Sequence, residues 1–193
     1  MKAIVKHIIF FVSAVLISPM TLMNIVLSSL FDKDQVLSSF SQFLSLLPSK
    51  LGVYLRAGFY RFALTYCSPD AVVSFLVLFS QKDTEISEGV YIGPQCNIGR
   101  CRIEKNTLLG SGVHIMSGKE QHNFSDLTRP IKEQGGTFQK VRIGQNCWIG
   151  NGAMIMANIG ANCIVGAGSV VLNDIPDNSI VAGNPARVIK PRG

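Results

Sequence analysis

The chain has 193 residues, enough for one ordinary domain and a short appendage. It is 47% hydrophobic and 16% charged, which excludes an intrinsically disordered chain and favours a membrane-associated segment or an unusually apolar core. The 18 Lys and Arg residues against 12 Asp and Glu residues give a net charge of +6, which suits a phosphorylated cofactor, an anionic membrane or nucleic acid and selects none of them. The basic residues are scattered and form no recognised nucleic-acid-binding motif, so we predict no nucleic-acid partner.

The first 34 residues form a distinct segment, because residues 8–31 carry no charge and read IIFFVSAVLISPMTLMNIVLSSLF. A helix over this run would be about 36 Å long, enough to cross a bilayer core of about 30 Å. Three interpretations stay open: a single span kinked at Pro19, a re-entrant hairpin or surface-lying helix pair, and a cleaved signal peptide. A signal peptide is disfavoured because no small-x-small cleavage site follows. We predict a membrane-associated helix or hairpin over residues 1–34, against the alternative of a helix buried in a soluble oligomer.

Residues 35–83 are expected to form an amphipathic helical linker and an entry strand. Large apolar residues recur here at helical spacing: Leu51, Tyr54, Leu55, Phe59 and Phe62. Arg56 and Arg61 lie off this stripe, which predicts a basic amphipathic helix. Such a helix suits the surface of an anionic membrane, and it suits packing against the rest of the protein equally well.

From residue 84 to residue 193 the sequence repeats with a period of six. Large aliphatic residues mark the repeat at Ile86, Ile92, Ile98, Ile103, Leu109 and Ile115, and then at Ile143, Ile149, Ile155, Ile159, Val165 and Val171. This period fits short strands that turn through three faces, with coils stacked about 4.8 Å apart. Glycine often follows the aliphatic residue, where we expect it to supply a positive φ at the turn. We therefore predict a mainly β fold, a parallel β-helix with these aliphatics stacked inside.

The same register explains three of the five cysteines. Cys96, Cys147 and Cys163 occupy a small inward position four residues after an aliphatic, so we predict that they are structural and not reactive. The odd number of cysteines and the lack of a CxxC pair argue against a disulfide framework or a zinc site and favour a reducing compartment. We predict no bound metal.

A polar loop at residues 117–140, SGKEQHNFSDLTRPIKEQGGTFQK, interrupts the repeat. An insertion in a rigid solenoid is a natural place for function. The loop contains His122. A histidine side chain has an unperturbed pKa of about 6.5, so a neutral imidazole can accept a proton from a hydroxyl or an amine near neutral pH. The competing histidine is His114, which directly precedes Ile115. Its side chain should point away from the column, where a surface or intersubunit role is favoured.

The repeats and the tail IGANCIVGAGSVVLNDIPDNSIVAGNPARVIK resemble the hexapeptide-repeat (left-handed β-helix) acyltransferases, which include galactoside, maltose, serine and xenobiotic acetyltransferases. The resemblance implies a left-handed β-helix, a homotrimer with active sites between subunits, and acetyl-CoA as acyl donor. It implies that His122 is the general base and Asp126 its acidic partner. It also implies acyl-CoA contacts, namely Trp148, Asn151, Ala167 and Leu172, with Arg187 and Lys190 at the phosphates. Leu172 and Asn173 depart from the commoner Thr-Lys pair of the family.

These features predict an O-acetyltransferase that transfers acetyl directly from acetyl-CoA to a sugar hydroxyl of a polysaccharide precursor or a lipid-linked glycan. The apolar N-terminus favours contact with membrane lipid at the cytoplasmic face, where CoA is present. An acetyltransferase for serine or a small xenobiotic and a non-catalytic trimeric scaffold remain alternatives. A zinc carbonic anhydrase of similar fold would need three histidines, and residues 84–193 contain only His114 and His122.

Overall fold

Three helices precede the β-structure in the computed structural model, which describes residues 2–193 and the side chains of residues 8–193. They are α1 (Lys2–Leu30), α2 (Lys33–Ser45) and α3 (Ser49–Ala63). Helix α1 continues through Pro19, so the chain forms neither the re-entrant hairpin nor the helix pair that the sequence left open. Asp32 caps α2, because its Oδ1 accepts hydrogen bonds from the backbone N–H groups of Asp34 and Gln35, with N···O distances of 3.1 and 2.9 Å.

Arg56, which lies off the apolar stripe of α3, is 0% exposed and packs against the rest of the protein, one of the two alternatives that the sequence left open for this helix. Its Nε donates to the carbonyl of Val73 at 2.9 Å, and its Nη1 donates to the carbonyls of Leu44 and Leu47 at 3.0 and 2.7 Å. The last carbonyls of a helix lack intrahelical partners and carry partial negative charge. Arg56 therefore joins α3, the end of α2 and the first β-coil, and its burial lowers the pKa of the guanidinium.

Short strands that belong in turn to three sheets follow the helices. In chain order they are β1 (Tyr66–Cys67), β2 (Val72–Val73), β3 (Leu78–Phe79), β4 (Glu85–Ile86), β5 (Tyr91–Ile92), β6 (Asn97–Ile98), β7 (Cys101–Ile103), β8 (Leu108–Leu109), β9 (His114–Ile115), β10 (Val141–Ile143), β11 (Trp148–Ile149), β12 (Met154–Ile155), β13 (Ile164–Val165), β14 (Val170–Val171), β15 (Ser179–Gly183) and β16 (Ala186–Pro191). Sheet A has the order β1-β4-β7-β10, sheet B has β16-β15-β13-β11-β8-β5-β2, and sheet C has β14-β12-β9-β6-β3. The strands pair in parallel, apart from the hairpin of β15 and β16. The prediction of a parallel β-helix is confirmed, with about six coils.

The interior of this column is a ladder of aliphatic side chains in register. In sheet B, Ile92 pairs with Leu109, Leu109 with Ile149, and Ile149 with Val165. Every aliphatic of the predicted ladder is at most 2% exposed. Full burial of such a side chain contributes about 1.5–3 kcal/mol, so the repeat itself supplies the core of the column.

The β-helix begins one coil earlier than the sequence predicted. Strands β1, β2 and β3 form this extra coil, and Cys67, Val73 and Phe79 fill its interior. The helices close this end of the column. Tyr60 of α3 packs on Phe79 with ring centroids 4.6 Å apart, and the Oγ of Ser41 in α2 accepts a hydrogen bond from the Phe79 backbone N–H at 2.8 Å. The segment over residues 35–83, which was expected to be a helical linker and an entry strand, therefore consists of two helices and a complete coil.

Two of the three corners of the column keep a constant length. The steps from sheet A to sheet B and from sheet B to sheet C are always six residues, as from Ile143 to Ile149 and on to Ile155. The corner from sheet C to sheet A varies from coil to coil, and its successive steps are Phe79–Ile86, Ile98–Ile103, Ile115–Ile143, Ile155–Ile159 and Val171–Ile175. The short step from Ile155 to Ile159 is thus one of several connections of variable length at this corner, and the loop at residues 117–140 belongs to the longest of them.

The glycines that follow the ladder residues have a different role from the one expected. Gly144 and Gly150 do not have a positive φ. A Cβ on Gly144 would lie 2.5 Å from the backbone nitrogen of Ala161 in the next coil, and Gly150 meets its neighbouring coil in the same way. These positions are glycine because the coils approach closely. The positive φ occurs two residues later, at Asn146 and Gly152, where asparagine and glycine tolerate it.

Candidate active site

The loop at residues 117–140 is bound to the column at both of its stems. The Arg100 backbone N–H donates to Ser117 Oγ at 2.9 Å, and Arg100 Nη1 donates to the Phe138 carbonyl at 3.1 Å. The two stems are joined to each other, because the Gln139 N–H donates to the Ser117 carbonyl at 2.8 Å. Arg100, on the column, therefore fixes where the loop leaves and where it returns.

An ion-pair cluster beneath the stems reinforces this attachment. Asp83 accepts hydrogen bonds from Lys140 and from Arg100 Nε, the latter at 2.8 Å. Lys140 also donates to the carboxylate of Glu85 at 2.6 Å. The hydrogen bond from Lys140, together with Arg100, holds the pKa of the Asp83 carboxyl below its usual value. The cluster thus joins the returning stem to the second coil.

Inside the loop, the side chain of Gln134 links segments that are distant in sequence. Its Nε2 donates to the carbonyls of Asp126 and Arg129 at 2.7 and 2.8 Å, and its Oε1 accepts from the Asp126 N–H at 3.0 Å. Its own carbonyl accepts from Asn123 Nδ2 at 3.1 Å. The sequence gave no signal for this role, because a glutamine in a polar loop looks like a solvated residue.

His122 lies on this loop with an exposed side chain. The returning chain crosses directly behind it at Gly136. A Cβ on Gly136 would collide with the Gln121 carbonyl oxygen and would lie 2.8 Å from the backbone nitrogen of His122. The close crossing therefore requires glycine at this position. It supports the backbone of His122 while the imidazole stays accessible.

Asp126 forms its side-chain hydrogen bonds with Thr128 and not with the histidine that it was expected to orient. Its Oδ1 accepts hydrogen bonds from the Thr128 N–H and Oγ1, at 2.9 and 2.7 Å. These bonds from Thr128 lower the pKa of the Asp126 carboxyl. Among the side chains of residues 8–193, none forms a hydrogen bond or an ion pair with the imidazole of His122. An orienting role for Asp126 thus stays a prediction from the resemblance.

A polar groove lies beside the loop, between α2 and the outer face of sheet C. Ser38 and Gln42 of α2 form one wall, Asn97 and His114 lie on sheet C, and Gln121, the residue before the loop histidine, closes one end. Asn97 and His114 are register partners on neighbouring strands, so an amide and an imidazole lie side by side. The sequence predicted the outward direction of His114 but not the groove, which forms where α2 packs on the column.

The predicted donor contacts fall partly on sheet B. Trp148 points outward from β11 and is 55% exposed, between its register partners Leu108 and Ile164. Arg187 and Lys190 are exposed on β16, the edge strand of the same sheet. An aromatic side chain and two cations therefore lie on one face of the column.

The remaining donor contacts lie at two corners. Asn151 and Ala167 follow β11 and β13 at the corner between sheets B and C, where Asn151 Oδ1 accepts a hydrogen bond from the Ser111 N–H at 3.0 Å. Leu172 lies after β14 at the variable corner, where it lines a second groove with Lys119 of the loop. One chain thus spreads the six predicted contacts over a sheet and two corners and does not gather them in one pocket.

The cysteines point inward, as the register predicted. Cys96, Cys147 and Cys163 are at most 2% exposed. Burial raises the pKa of the Cys96 and Cys147 thiols to about 11, so both are protonated at neutral pH and poor nucleophiles. Within residues 8–193 no group of three His, Cys, Asp or Glu side chains could hold a metal ion.

Comparison with known proteins finds one matching family model and several similar solved structures. The family model described as bacterial transferase hexapeptide (six repeats) matches residues 140–173, which contain β10 to β14. The column is a hexapeptide-repeat β-helix. A search of curated proteins finds no match to the chain.

Solved structures with the same hexapeptide-repeat fold include several acyltransferases. A maltose O-acetyltransferase from Clostridium difficile 630 is 24% identical with a TM-score of 0.72, and the match covers 84% of this chain and 90% of that one. A galactoside acetyltransferase in complex with coenzyme A is 21% identical with a TM-score of 0.57, over 83% and 81% of the two chains. A mutant of the N-acyltransferase AntD from Bacillus cereus, in complex with dTDP and coenzyme A, is 21% identical with a TM-score of 0.56, over 64% and 71%. At these identities the likeness shows a common fold.

Proposed function

We propose that the protein is an acyl-CoA-dependent O-acetyltransferase that transfers acetyl from acetyl-CoA to a sugar hydroxyl. The observation that carries this proposal is the exposed His122 on a loop whose two stems are bound to the column, next to a polar groove. The similar folds of a maltose O-acetyltransferase and of a galactoside acetyltransferase in complex with coenzyme A support it.

The reaction is a direct transfer with His122 as general base. The neutral imidazole accepts the proton of the acceptor hydroxyl while the hydroxyl oxygen attacks the thioester carbonyl carbon. The tetrahedral intermediate collapses, the C–S bond breaks, and the imidazolium returns its proton to the departing CoA sulfur. A backbone N–H group would stabilise the oxyanion. No cysteine takes part, since the thiols at Cys96 and Cys147 are buried and protonated.

The groove beside the loop suits a neutral, hydroxyl-rich acceptor. Its polar side chains are three amides, three serine hydroxyls and an imidazole, on Gln42, Asn97, Gln121, Ser38, Ser80, Ser117 and His114. Each can donate or accept a hydrogen bond, and neither amide nor hydroxyl carries a charge. A sugar fits this chemistry better than an acidic or strongly basic acceptor. Serine, which is a zwitterion, finds no fixed carboxylate or guanidinium among these side chains.

The donor site is proposed to lie between subunits of a homotrimer. Trp148 and Lys190 lie on sheet B, whereas Leu172 lies beside the loop, so a CoA molecule that touches all three must lie between two columns. The loop also needs a partner, because Phe124 and Leu127 are 74% and 97% exposed and such apolar side chains mark interaction sites. A neighbouring subunit that covers them would complete the site around His122.

The catalytic column is proposed to work at the cytoplasmic face of the membrane. The uncharged run Ile8–Leu30 of helix α1 supports association with lipid, and cytosolic acetyl-CoA requires the column to face the cytoplasm. This location favours an acceptor that is itself membrane-bound, such as a lipid-linked glycan or a polysaccharide precursor made at the membrane.

Thiol release from acetyl-CoA tests the proposed activity, with purified protein and a panel of sugars, nucleotide sugars and glycolipids. The proposal expects release of CoA that depends on a sugar acceptor, and calorimetric binding of acetyl-CoA without acceptor. Binding of acetyl-CoA with release only toward serine or small aromatic hydroxyls would replace the sugar by another acceptor. Absence of both binding and release would overturn the enzyme assignment in favour of a scaffold.

A further inference from the structure

Helix α1 has its polarity reversed relative to a helix of a soluble protein. The side chains of Ser13, Thr21, Asn24 and Ser28 are at most 7% exposed, and they share the inward face with Ile17. A helix that packs on a soluble domain normally buries an apolar stripe and leaves its polar face in water. In α1 a mostly small and polar seam faces the protein instead.

The outward face of the same helix is mostly apolar, and it is interrupted by the exposed Ser18, Pro19 and Ser29. Its large exposed side chains are Ile8, Phe11, Val12, Val15, Leu16, Leu22, Met23, Ile25, Val26 and Leu30, each at least 50% exposed. From Ile8 to Leu30 the mean hydropathy reaches 2.1, and among the described residues only this helix is long and apolar enough to cross a membrane. Monomeric soluble proteins rarely expose so many large apolar side chains on one face.

The inner seam holds α1 flat against the helices that close the column. A Cβ on Gly58 of α3 would lie 3.0 Å from the Cα of Ala14, so the two helices approach at backbone distance. Helix α3 is itself fixed to the column through Arg56. If α1 left this position to cross a bilayer alone, Asn24 and the seam hydroxyls would turn toward hydrocarbon, which is costly for polar groups.

The positive charge of this region indicates that the outer face of α1 binds a lipid surface. Residues 1–63 contain six basic and two acidic residues and therefore carry +4 of the chain's net charge of +6. Of the basic residues, Arg56 is buried, while Lys33 and Lys50 are exposed outside the apolar run. Anionic bilayers attract basic residues that flank an apolar face.

We propose that α1 is an in-plane membrane anchor, whose outer face enters the acyl boundary of one leaflet of an anionic bilayer. The helix does not cross the bilayer, and its N-terminus and the column lie on the same side. This proposal specifies the membrane association proposed above and does not depend on acyltransfer.

Flotation with vesicles of phosphatidylcholine, with and without phosphatidylglycerol, tests the anchoring face. Leu16→Asp and Leu22→Asp should each weaken vesicle binding about tenfold, because each loses an inserted side chain and places a carboxylate in the interface. Ile189→Asp is the matched control, since Ile189 is equally apolar and 63% exposed but lies on β16, at the other end of the column. Its binding should equal that of the unmodified chain.

Labelling of added cysteines tests the in-plane geometry. The five native cysteines are buried, so a cysteine added before Met1 or after Gly193 reacts selectively with a membrane-impermeant maleimide. Both additions should be labelled from the same side of membrane vesicles. Labelling from opposite sides would overturn the in-plane anchor and leave membrane association intact. If the unmodified chain does not bind vesicles and Leu16→Asp instead dissociates an oligomer, the face is a contact between subunits and both membrane proposals are wrong.

Discussion

The column and the loop at residues 117–140 are held by different forces. The column repeats one interaction, a buried aliphatic stacked on its counterpart in the next coil, and its ladder side chains are almost completely excluded from water. The loop has no buried apolar core of its own. It depends on hydrogen bonds from Gln134 and on the attachment of its stems to Arg100. This difference teaches that changes in the column should alter stability, whereas changes in the loop should alter catalysis.

The largest effect is expected at the loop histidine. His122→Ala should lower kcat by about 10²-fold or more, because it removes the general base, and it should leave the melting temperature unchanged because the side chain is exposed. Acetyl-CoA thiol release and thermal unfolding measure the two quantities. Lys132→Ala, also exposed on the loop, is the control and should retain activity. Activity near the unmodified level in a folded His122→Ala protein would remove the histidine from the mechanism.

The opposite pattern is expected in the column. Ile149→Ala should lower the free energy of unfolding by about 2–5 kcal/mol, since it opens a cavity in the middle of the ladder. Ile149 is 0% exposed and stacks between Leu109 and Val165. Denaturant unfolding measures the loss, and Ile164→Ala, on the outer face of the neighbouring strand, should cost much less. Equal costs at the two positions would contradict the ladder.

A smaller effect should follow from moving the histidine without removing it. Gly136→Ala places a Cβ against the Gln121 carbonyl and close to the backbone nitrogen of His122, so the backbone that carries the imidazole must shift. We expect kcat to fall about tenfold, as misplacement of a catalytic group commonly costs one to two orders of magnitude. Gly135→Asn is the matched control, because nothing lies within 4 Å of its Cβ and asparagine tolerates the φ of +73°. If both variants lose activity alike, the close crossing at Gly136 is not what positions His122.

The smallest effect concerns the ion pairs that attach the loop to the column. The pKa of Asp83 is lowered in the folded protein, so its contribution to stability is fully present above its unfolded pKa of about 3.9 and is lost as the pH falls through the lowered value. The contribution should be at most about 1 kcal/mol, because the Asp83 and Arg100 side chains are each 39% exposed and solvent screens the pair. Thermal unfolding at pH 2.5 to 6 should show this acid-dependent loss in the unmodified protein and a weaker one in Asp83→Asn. An identical pH dependence in both would show that Asp83 does not stabilise the stems.

Much of the column could be predicted because a six-residue period leaves little freedom. The spacing of the aliphatic residues from Ile86 to Val171 was enough to predict the three sheets, the inward positions and the place where the loop interrupts the repeat. The first coil was not predicted, because its ladder residues are Cys67, Val73 and Phe79. These residues pack near the helices and are followed by serines instead of glycines. Serines spaced six residues apart, at 68, 74 and 80, were the signal that could have revealed it.

The candidate site was harder to predict because most of it depends on long-range packing. His122 was singled out from the break in the period together with the family resemblance. The groove formed by Gln42 and Asn97 needs α2 to pack on sheet C, and no local pattern in either segment indicates that contact. The burial of Arg56 could not be predicted for the same reason, because its partners are carbonyls at the end of another helix.

The corner from sheet C to sheet A has a consequence for how such a protein can change. Five successive connections, of four different lengths, lie along one edge of the column, and the spacing through the other two corners is unchanged by them. New segments can therefore be grafted between Val171 and Ile175 without shifting the register of any coil. Evolution or design can therefore change specificity by varying the connections along this one edge, while the coils of the column stay the same.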